Sequence, residues 1–477
     1  MTTALALPRV VQGGMGAGVS SWRLARAVSR LGQLGVVSGT ALDQILVRRL
    51  QTGDPDGQVR QALHAFPFPR MARRILDTWF VPGGQPEGTA YTTGGMHTLE
   101  GRRPLQELCI AGNFVEVYLA RLGHTNPVGI NYLEKIQLPH LPSLYGAMLA
   151  GVSAIIMGAG IPLDIPAAIT ALAGHHAASY PVRVAGAAAG ADFRARFDPA
   201  EFIEPGTPTA PLERPLFLPI VSSHTLASII CRKAKGPIDG FVVEGPLAGG
   251  HNAPPRGATV LTPDGQPVYG PRDAVDLEAM RALQKPFWLA GAYGSPAALQ
   301  AALAAGAAGV QVGTAFALCE ESGLEPHLRR DLVERALRGE AAVFTDLRAS
   351  PTGFPFKVAA LDGTLSEPSS YEQRRRICDL GFLREPWLKP DGTIGYRCPA
   401  EPEKSFIAKG GCPDDTAGRK CLCNALVANI GMGQRLSDGT FELPLVTLGD
   451  DLANIGQFCT PEHPDFTAAD VLRVLLG

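Results

Sequence analysis

The chain has 477 residues, of which 45% are hydrophobic and 18% are charged, and its formal net charge is −2. This apolar content argues against disorder, and a charge near zero gives no electrostatic basis for nucleic-acid binding. The length exceeds one average domain and suits a large barrel with additional segments.

Short apolar runs alternate with helical patterns along the chain. Runs that are apolar throughout are typical of parallel strands covered on both faces. We predict strands at residues 9–12, 34–38, 127–132, 154–158, 217–222, 239–244, 286–291 and 308–314. We predict helices at residues 21–31, 142–150, 164–174, 224–234, 273–283 and 295–305. Eight strands alternating with helices predict an α/β fold, a (β/α)8 TIM barrel.

A doubly wound sheet is the alternative fold. It is disfavoured because the glycines at 14, 16 and 18 lack the spacing of a dinucleotide-binding loop. The uncharged stretch 144–163 is interrupted by glycines and a proline, so it predicts a buried helix and strand and no membrane span. Residues 1–8 lack the features of a secretory signal, and the nine cysteines are an odd number. We therefore expect a cytoplasmic protein without disulfides.

Two long stretches interrupt the alternation of strands and helices. Residues 44–125 are predicted to form a mainly helical insertion after the second strand, and the barrel pattern stops near residue 335. The predicted organisation is a barrel of residues 1–43 and 126–335, the insertion 44–125, and a C-terminal cysteine-containing region, 336–477.

Small residues follow nearly every predicted strand, at the end where barrel enzymes place their chemistry. Ala290-Gly291-Ala292 follows the seventh strand and Gly313-Thr314 follows the eighth, and each leads towards a helix. Loops at these two positions form the usual phosphate cradle of barrels, from backbone N–H groups and here the Thr314 hydroxyl. Small residues at the other strand ends leave room for a planar ring, so FMN fits best.

A single histidine follows a glycine loop at the end of the sixth strand. Residues 245–251 read Gly-Pro-Leu-Ala-Gly-Gly-His, directly after an apolar run. Adjacent glycines let the backbone approach a flat or anionic ligand, and His251 can exchange protons near neutral pH. His251 is therefore the candidate catalytic residue, and a histidine that only holds the turn is the alternative.

Residues 8–43, 238–257 and 286–321 resemble the nitronate monooxygenase (2-nitropropane dioxygenase) family of FMN-dependent TIM barrels. That family also contains FMN-dependent enoyl-acyl carrier protein reductases. The motifs that carry the resemblance are Ala248-Gly-Gly-His251 and Gln311-Val-Gly-Thr314. The resemblance implies FMN contacts from Gly14, Met15, Gly16, Ser223, Glu244, Gly249, Ala290, Gly291, Ala292, Gly313 and Thr314. It also implies that His251 is the active-site histidine.

The expected function is oxidation of alkyl nitronates with O2 through a flavin. One alternative is an enoyl-thioester reductase that uses NAD(P)H, and a quinone reductase is a related version. A non-catalytic flavin-binding assembly component is an alternative of another class. The sequence identifies no oligomer interface.

Several other polar residues have less specific patterns. The pair His175-His176 is typical of a helix end rather than a metal site. His224 begins a helix beside Ser223 and is a candidate to border the flavin, with a residue of the helix start as the alternative. Arg256 is either a candidate for binding an anionic substrate or a surface loop arginine. Cys398, Cys412, Cys421 and Cys423 suggest zinc or an iron–sulfur cluster, but their spacing matches neither a zinc ribbon nor a ferredoxin. We therefore assign no metal ligand, and we expect these cysteines to take no part in the flavin chemistry.

Overall fold

The computed structural model describes residues 7–207, 209–436 and 438–477. Residues 1–6, which carry most of the expectation about a secretory signal, lie outside the described part. The strands are β1 (Val10–Gln12), β2 (Gly35–Ser38), β3 (Val128–Leu133), β4 (Ala154–Gly158), β5 (Ala178–Pro181), β6 (Arg194–Phe197), β7 (Leu216–Val221), β8 (Phe241–Glu244), β9 (Phe287–Ala290), β10 (Gly309–Val312), β11 (Val343–Asp346), β12 (Phe356–Ala359), β13 (Glu385–Leu388) and β14 (Ile394–Arg397).

The helices follow the strands closely in the first two thirds of the chain. They are α1 (Trp22–Arg30), α2 (Leu42–Gln51), α3 (Gln58–His64), α4 (Pro69–Trp79), α5 (Arg103–Arg121), α6 (His140–Leu149), α7 (Ile165–Ala173), α8 (His224–Lys233), α9 (Leu277–Ala282), α10 (Pro296–Ala304), α11 (Thr314–Ala317), α12 (Pro326–Leu337), α13 (Pro368–Gln373), α14 (Glu403–Ala408), α15 (Leu422–Ala428) and α16 (Ala468–Leu476). Among the described residues, none of these helices combines the length and the apolarity that crossing a bilayer requires.

Eight parallel strands form the central sheet, in the order β1-β10-β9-β8-β7-β4-β3-β2. The two edge strands meet through a parallel bridge between Val11 and Leu34. The Gln12 N–H donates to the Leu34 carbonyl at 2.9 Å, and the Leu34 N–H donates to the Val10 carbonyl at 3.2 Å. The sheet is thereby closed, and the predicted TIM barrel is confirmed.

The strands are apolar throughout because both of their faces are buried. Val11, Val36 and Trp288 belong to a cluster inside the barrel, whereas Val10 and Val37 pack outward against the helices. This two-sided burial is the physical reason why the runs do not alternate between polar and apolar residues.

Helix α9 is shorter than the sequence predicts. It begins at Leu277, not at 273, because the Asp276 side chain accepts a hydrogen bond from the Ala279 N–H at 2.9 Å and caps the helix there. Strands β5 and β6 form an antiparallel hairpin outside the barrel, which the sequence did not predict.

The remaining segments surround the barrel. Helices α2 to α5 follow β2, and α5 packs against α1, α2 and α6. Two antiparallel hairpins, β11–β12 and β13–β14, follow α12. Helix α16 returns to contact α1 and α10. The division into three domains remains a prediction.

Candidate active site

A cavity lies at the carboxyl ends of the barrel strands. The loops after β1, β8, β9 and β10 form its floor, as the sequence predicts. A second part of its lining comes from the C-terminal region, which sequence reasoning did not include in the site. The residues of this second part are Phe356, Phe382, Leu383, Leu422, Cys423, Leu426, Thr447, Leu448, Gly449 and Asp451.

The loop Gly14-Met15-Gly16 lines this cavity and is held by polar side chains. The Asn131 side-chain amide donates to the Gly14 carbonyl at 3.0 Å, and the Met15 N–H donates to Ser20 Oγ at 2.9 Å. A Cβ added at Gly14 would lie 2.4 Å from the Asn131 Cβ, so this close approach requires glycine. The loop therefore presents backbone, and little side chain, to the cavity.

The loops after β9 and β10 also line the cavity at the predicted phosphate cradle. Gly291 has φ +98 and Ala292 has φ +61, so this turn is left-handed at two successive residues. The Thr314 hydroxyl accepts a hydrogen bond from the Gly449 N–H at 3.0 Å. Asp451 lies beside Thr314, and burial raises the pKa of its carboxyl. The C-terminal region therefore adds a buried acid to the cradle.

Glu244 ends strand β8 and lines the cavity beside Gly249 and Ala290. Burial raises the pKa of its carboxyl to about 8. The side chain is therefore mostly protonated near pH 7 and can donate a hydrogen bond as well as accept one.

The raised pKa of Glu244 has a measurable effect on stability. In the cofactor-free protein, the folded state keeps a proton that the unfolded state releases between its ordinary pKa of 4.5 and about 8. The free energy of unfolding therefore falls as the pH rises through that window. When the pH rises from about 6.5 to about 8, the free energy of unfolding of the original protein should fall by roughly 2 kcal/mol more than that of Glu244→Gln. Thermal unfolding at both pH values measures the effect.

A matched control is Glu278→Gln, because Glu278 is exposed at the start of α9. We expect this control to keep the pH dependence of the original protein. If Glu244→Gln loses as much stability as the original protein over the same pH interval, Glu244 is ionised throughout and the account of its burial is wrong.

His251 also lines the cavity, and its surroundings come from the C-terminal region. Its Nε2 lies 2.7 Å from Ser350 Oγ, which in turn lies 2.8 Å from Thr352 Oγ1. Its ring meets the Phe356 ring edge-on with centroids 4.9 Å apart. Burial lowers the pKa of the imidazole to about 4. The ring is therefore neutral near pH 7, and a hydroxyl chain orients it.

The structure places Ser223 away from the lining of this cavity. Ser223 is the N-cap of α8, and its hydroxyl accepts a hydrogen bond from the Leu226 N–H at 3.1 Å. His224 begins the same helix and is not among the cavity residues. The sequence pattern fits a helix cap as well as a ligand contact, because serine is a preferred N-cap residue.

Arg256 and His175 are also occupied by protein partners. The Arg256 guanidinium donates to the Ser222 carbonyl at 2.7 Å, which ties it to the loop after β7. His175 lies 2.9 Å from the Tyr145 hydroxyl through Nδ1 and 2.9 Å from the Ala210 carbonyl through Nε2. Both ring nitrogens are thus used within the fold.

Two buried acceptors on the cavity wall have no hydrogen-bond partner. They are Asn131 Oδ1 and Gln311 Oε1. An unpaired buried acceptor is costly, so each is a place where a ligand donor would be favoured. Gln311 belongs to the motif before Gly313, whereas the sequence noted Asn131 only as the end of the third strand.

A second polar cluster lies behind the cavity. In the part of the chain that the structure describes, one group of three possible metal-ligand atoms lies within 4.8 Å of one another, in Asp43, His97 and Cys109. His97 Nε2 lies 3.1 Å from Asp43 Oδ2 and 3.7 Å from Cys109 Sγ. Sequence reasoning missed this cluster because its members are far apart along the chain. The His97–Asp43 contact is an ordinary buried hydrogen bond. We therefore interpret the three residues as a hydrogen-bonded polar group in the core.

Residues 214–345 match the family model described as "Nitronate monooxygenase". No curated protein matches the chain by sequence. Among solved structures, FabK from Thermotoga maritima is 15% identical, covers 99% of this chain and 92% of its own, and has a TM-score of 0.46. A nitroalkane oxidase from Streptomyces ansochromogenes is 15% identical, covers 99% and 95%, and has a TM-score of 0.44.

A third structure is the enoyl reductase domain of MlnA from the macrolactin biosynthesis cluster of Bacillus amyloliquefaciens. It is 11% identical, covers 98% of this chain and 92% of its own, and has a TM-score of 0.44. The family match supports the broader prediction of an oxidoreductase enzyme. The resemblance predicted from the motifs is confirmed, because residues 214–345 match the nitronate monooxygenase family model.

Proposed function

We propose that the protein is an FMN-dependent oxidoreductase that oxidises alkyl nitronates with O2. The observation that carries the proposal is the cavity at the carboxyl ends of the strands, with glycine loops after β9 and β10 and His251 on its wall. Ligands of barrel enzymes bind at this end, and phosphate groups bind at the last two loops. The nitronate monooxygenase match over residues 214–345 supports the same class of reaction.

The polar groups of the cavity fit FMN. Asn131 Oδ1 and Gln311 Oε1 lack donors, and the ribityl hydroxyls and the ring N–H of FMN are donors. The protonated carboxyl of Glu244 would donate to a ring carbonyl. The phosphate would be held by backbone N–H groups near Gly291 and Gly313 and by the Thr314 hydroxyl. An ionised Asp451 would repel the phosphate there, and burial raises the pKa of its carboxyl.

Bound FMN would supply the two-electron chemistry that links oxidation of the substrate to reduction of O2. The neutral ring of His251 would accept the α-proton of a nitroalkane or hydrogen-bond to the oxygens of a nitronate. Ser350 would orient that ring through its contact with Nε2 at 2.7 Å. Ser350 is therefore a positioning residue, and His251 is the proposed catalytic residue.

One observation favours a second candidate, an enoyl-thioester reductase that uses NAD(P)H. The wall contributed by the C-terminal region is apolar at Phe356, Phe382, Leu422 and Leu426. Such a wall would accept an acyl chain as readily as a small nitronate. In this case His251 would polarise or protonate the substrate near its carbonyl.

The cofactor is the first part of the proposal to test. The purified protein should be yellow, and denaturation should release FMN in about one copy per chain, because the phosphate cradle has no dinucleotide fingerprint beside it. Mass spectrometry of the released cofactor measures this. Release of FAD, or no flavin after incubation with FMN, would contradict the proposal.

A further inference from the structure

Four cysteines of the C-terminal region converge at one place. Cys398 follows β14, Cys421 is the N-cap of α15, and Cys423 lies in its first turn. The thiols of Cys398 and Cys421 pack in one small cluster, and Cys423 packs against it. Together with Cys378 we call these residues the four-cysteine cluster.

Cys378 joins the cluster through its neighbour in the chain. The Asn424 side-chain amide donates to Asp379 Oδ1 at 2.7 Å and to Cys421 Sγ at 3.6 Å. Cys378 is the chain neighbour of Asp379, and its thiol lies within electrostatic range of Cys421. Cys412, which the sequence grouped with the late cysteines, is exposed and is not included in the cluster.

The buried guanidinium of Arg374, which has too few hydrogen-bond acceptors, lies near the same sulfurs. The side chain of Arg374 is 5% exposed, and its Nε pairs with Glu442. Among the described residues, its Nη1 and Nη2 have no hydrogen-bond partner. The guanidinium lies within electrostatic range of the Cys421 sulfur. Neutral thiols are weak acceptors, whereas thiolates and sulfide ions would satisfy these donors.

The other charges around the cluster also suit an anionic centre. Arg384 lies within electrostatic range of Cys378 and Cys398. Three carboxylates also lie within electrostatic range of these cysteines, those of Glu401, Asp379 and Glu442. Each has a basic partner: Lys409 for Glu401 at 2.7 Å, Arg48 for Asp379 at 3.7 Å, and Arg374 for Glu442.

The spacing of the sulfurs does not match a preformed site for a single zinc ion. Four thiolates about 2.3 Å from zinc in a tetrahedron lie about 3.8 Å from one another. In the described residues, Asp43, His97 and Cys109 form the group of three ligand atoms within 4.8 Å, and no three of these sulfurs do. An iron–sulfur cluster spreads its thiolates farther apart, because each binds a different iron atom.

We propose that Cys378, Cys398, Cys421 and Cys423 bind a [4Fe–4S] cluster at the wall of the active-site cavity. Cys423 and its neighbour Leu422 line that cavity. The cluster would therefore lie directly behind the surface that faces the bound ligand. Arg374 would donate to the sulfurs of the cluster, which explains its two unpaired groups.

The test uses the full chain, isolated under anaerobic conditions and then incubated with ferrous iron and sulfide. Iron, acid-labile sulfide and zinc are counted per chain, and the reduced sample is examined by low-temperature electron paramagnetic resonance. We expect about four iron and four sulfide per chain and the signal of a reduced cluster. This measurement on the original protein does not depend on whether any variant folds.

Single serine variants identify the ligands. Cys398→Ser and Cys423→Ser should lose most of the iron and sulfide, whereas Cys412→Ser, at the exposed cysteine, should keep both. Stoichiometric zinc, iron without sulfide, or neither metal after incubation would overturn the proposal. Full iron and sulfide in both ligand variants would overturn the assignment of these four residues.

Discussion

Replacing Gly313 with aspartate is expected to abolish retention of FMN. Gly313 lies in the loop after β10, on the cavity wall next to Thr314. A carboxylate there would face the phosphate in a partly desolvated site, where a pair of like charges 4 Å apart costs about 4 kcal/mol. The dissociation constant of FMN should therefore rise by about three orders of magnitude. Titration of the cofactor-free protein, followed by flavin fluorescence, measures this constant.

Gly313→Ala is the matched control because it adds a Cβ without charge. Gly313 has φ −108, which alanine adopts readily, and the added Cβ would lie 3.4 Å from Met15 Sδ. We expect the alanine variant to bind FMN nearly as tightly as the original protein. If the aspartate variant also binds it tightly while folded, the phosphate does not lie at this loop.

Replacing His251 with alanine should slow reduction of the flavin by substrate while FMN stays bound. Loss of a positioned acid–base group typically costs about 10²–10⁴-fold in rate. The loss should be larger for a neutral nitroalkane, which must give up a proton, than for a preformed nitronate. Stopped-flow absorbance with each form of the substrate measures the two rates separately.

Ser350→Ala provides a graded comparison, because it removes the contact to His251 Nε2 and leaves the ring in place. We expect its rate of flavin reduction to lie between the rate of the original protein and the rate of His251→Ala. Equal small losses with both substrate forms would indicate that His251 only holds the turn. Unchanged rates with both would exclude it as the catalytic residue.

The barrel could be predicted from the sequence because each strand is buried on both faces. Runs such as Val10-Val11 and Val36-Val37 are apolar throughout for that reason, and they lie between helices at regular intervals. The same regularity located the loops after β9 and β10, because the ends of parallel strands meet on one side of a barrel. Most of the site residues predicted near these strand ends line the cavity.

Contacts that join distant parts of the chain could not be predicted in the same way. Ser350 meets His251 from 99 positions later. Asp451 reaches Thr314 from the C-terminal region, where no periodic pattern indicates a barrel contact. Ser223 lies outside the cavity lining, because a serine before a helix can satisfy its hydroxyl locally as an N-cap.

Anaerobic reduction of the bound flavin tests the central claim most directly. The purified protein carrying FMN is mixed under nitrogen with an alkyl nitronate or, separately, with NADH or NADPH, and the flavin absorbance is followed. The account predicts rapid bleaching by the nitronate, slow or no bleaching by the nicotinamides, and return of the colour when O2 is admitted. Rapid bleaching by NADH or NADPH with no response to the nitronate would contradict it and would support the enoyl-thioester reductase instead.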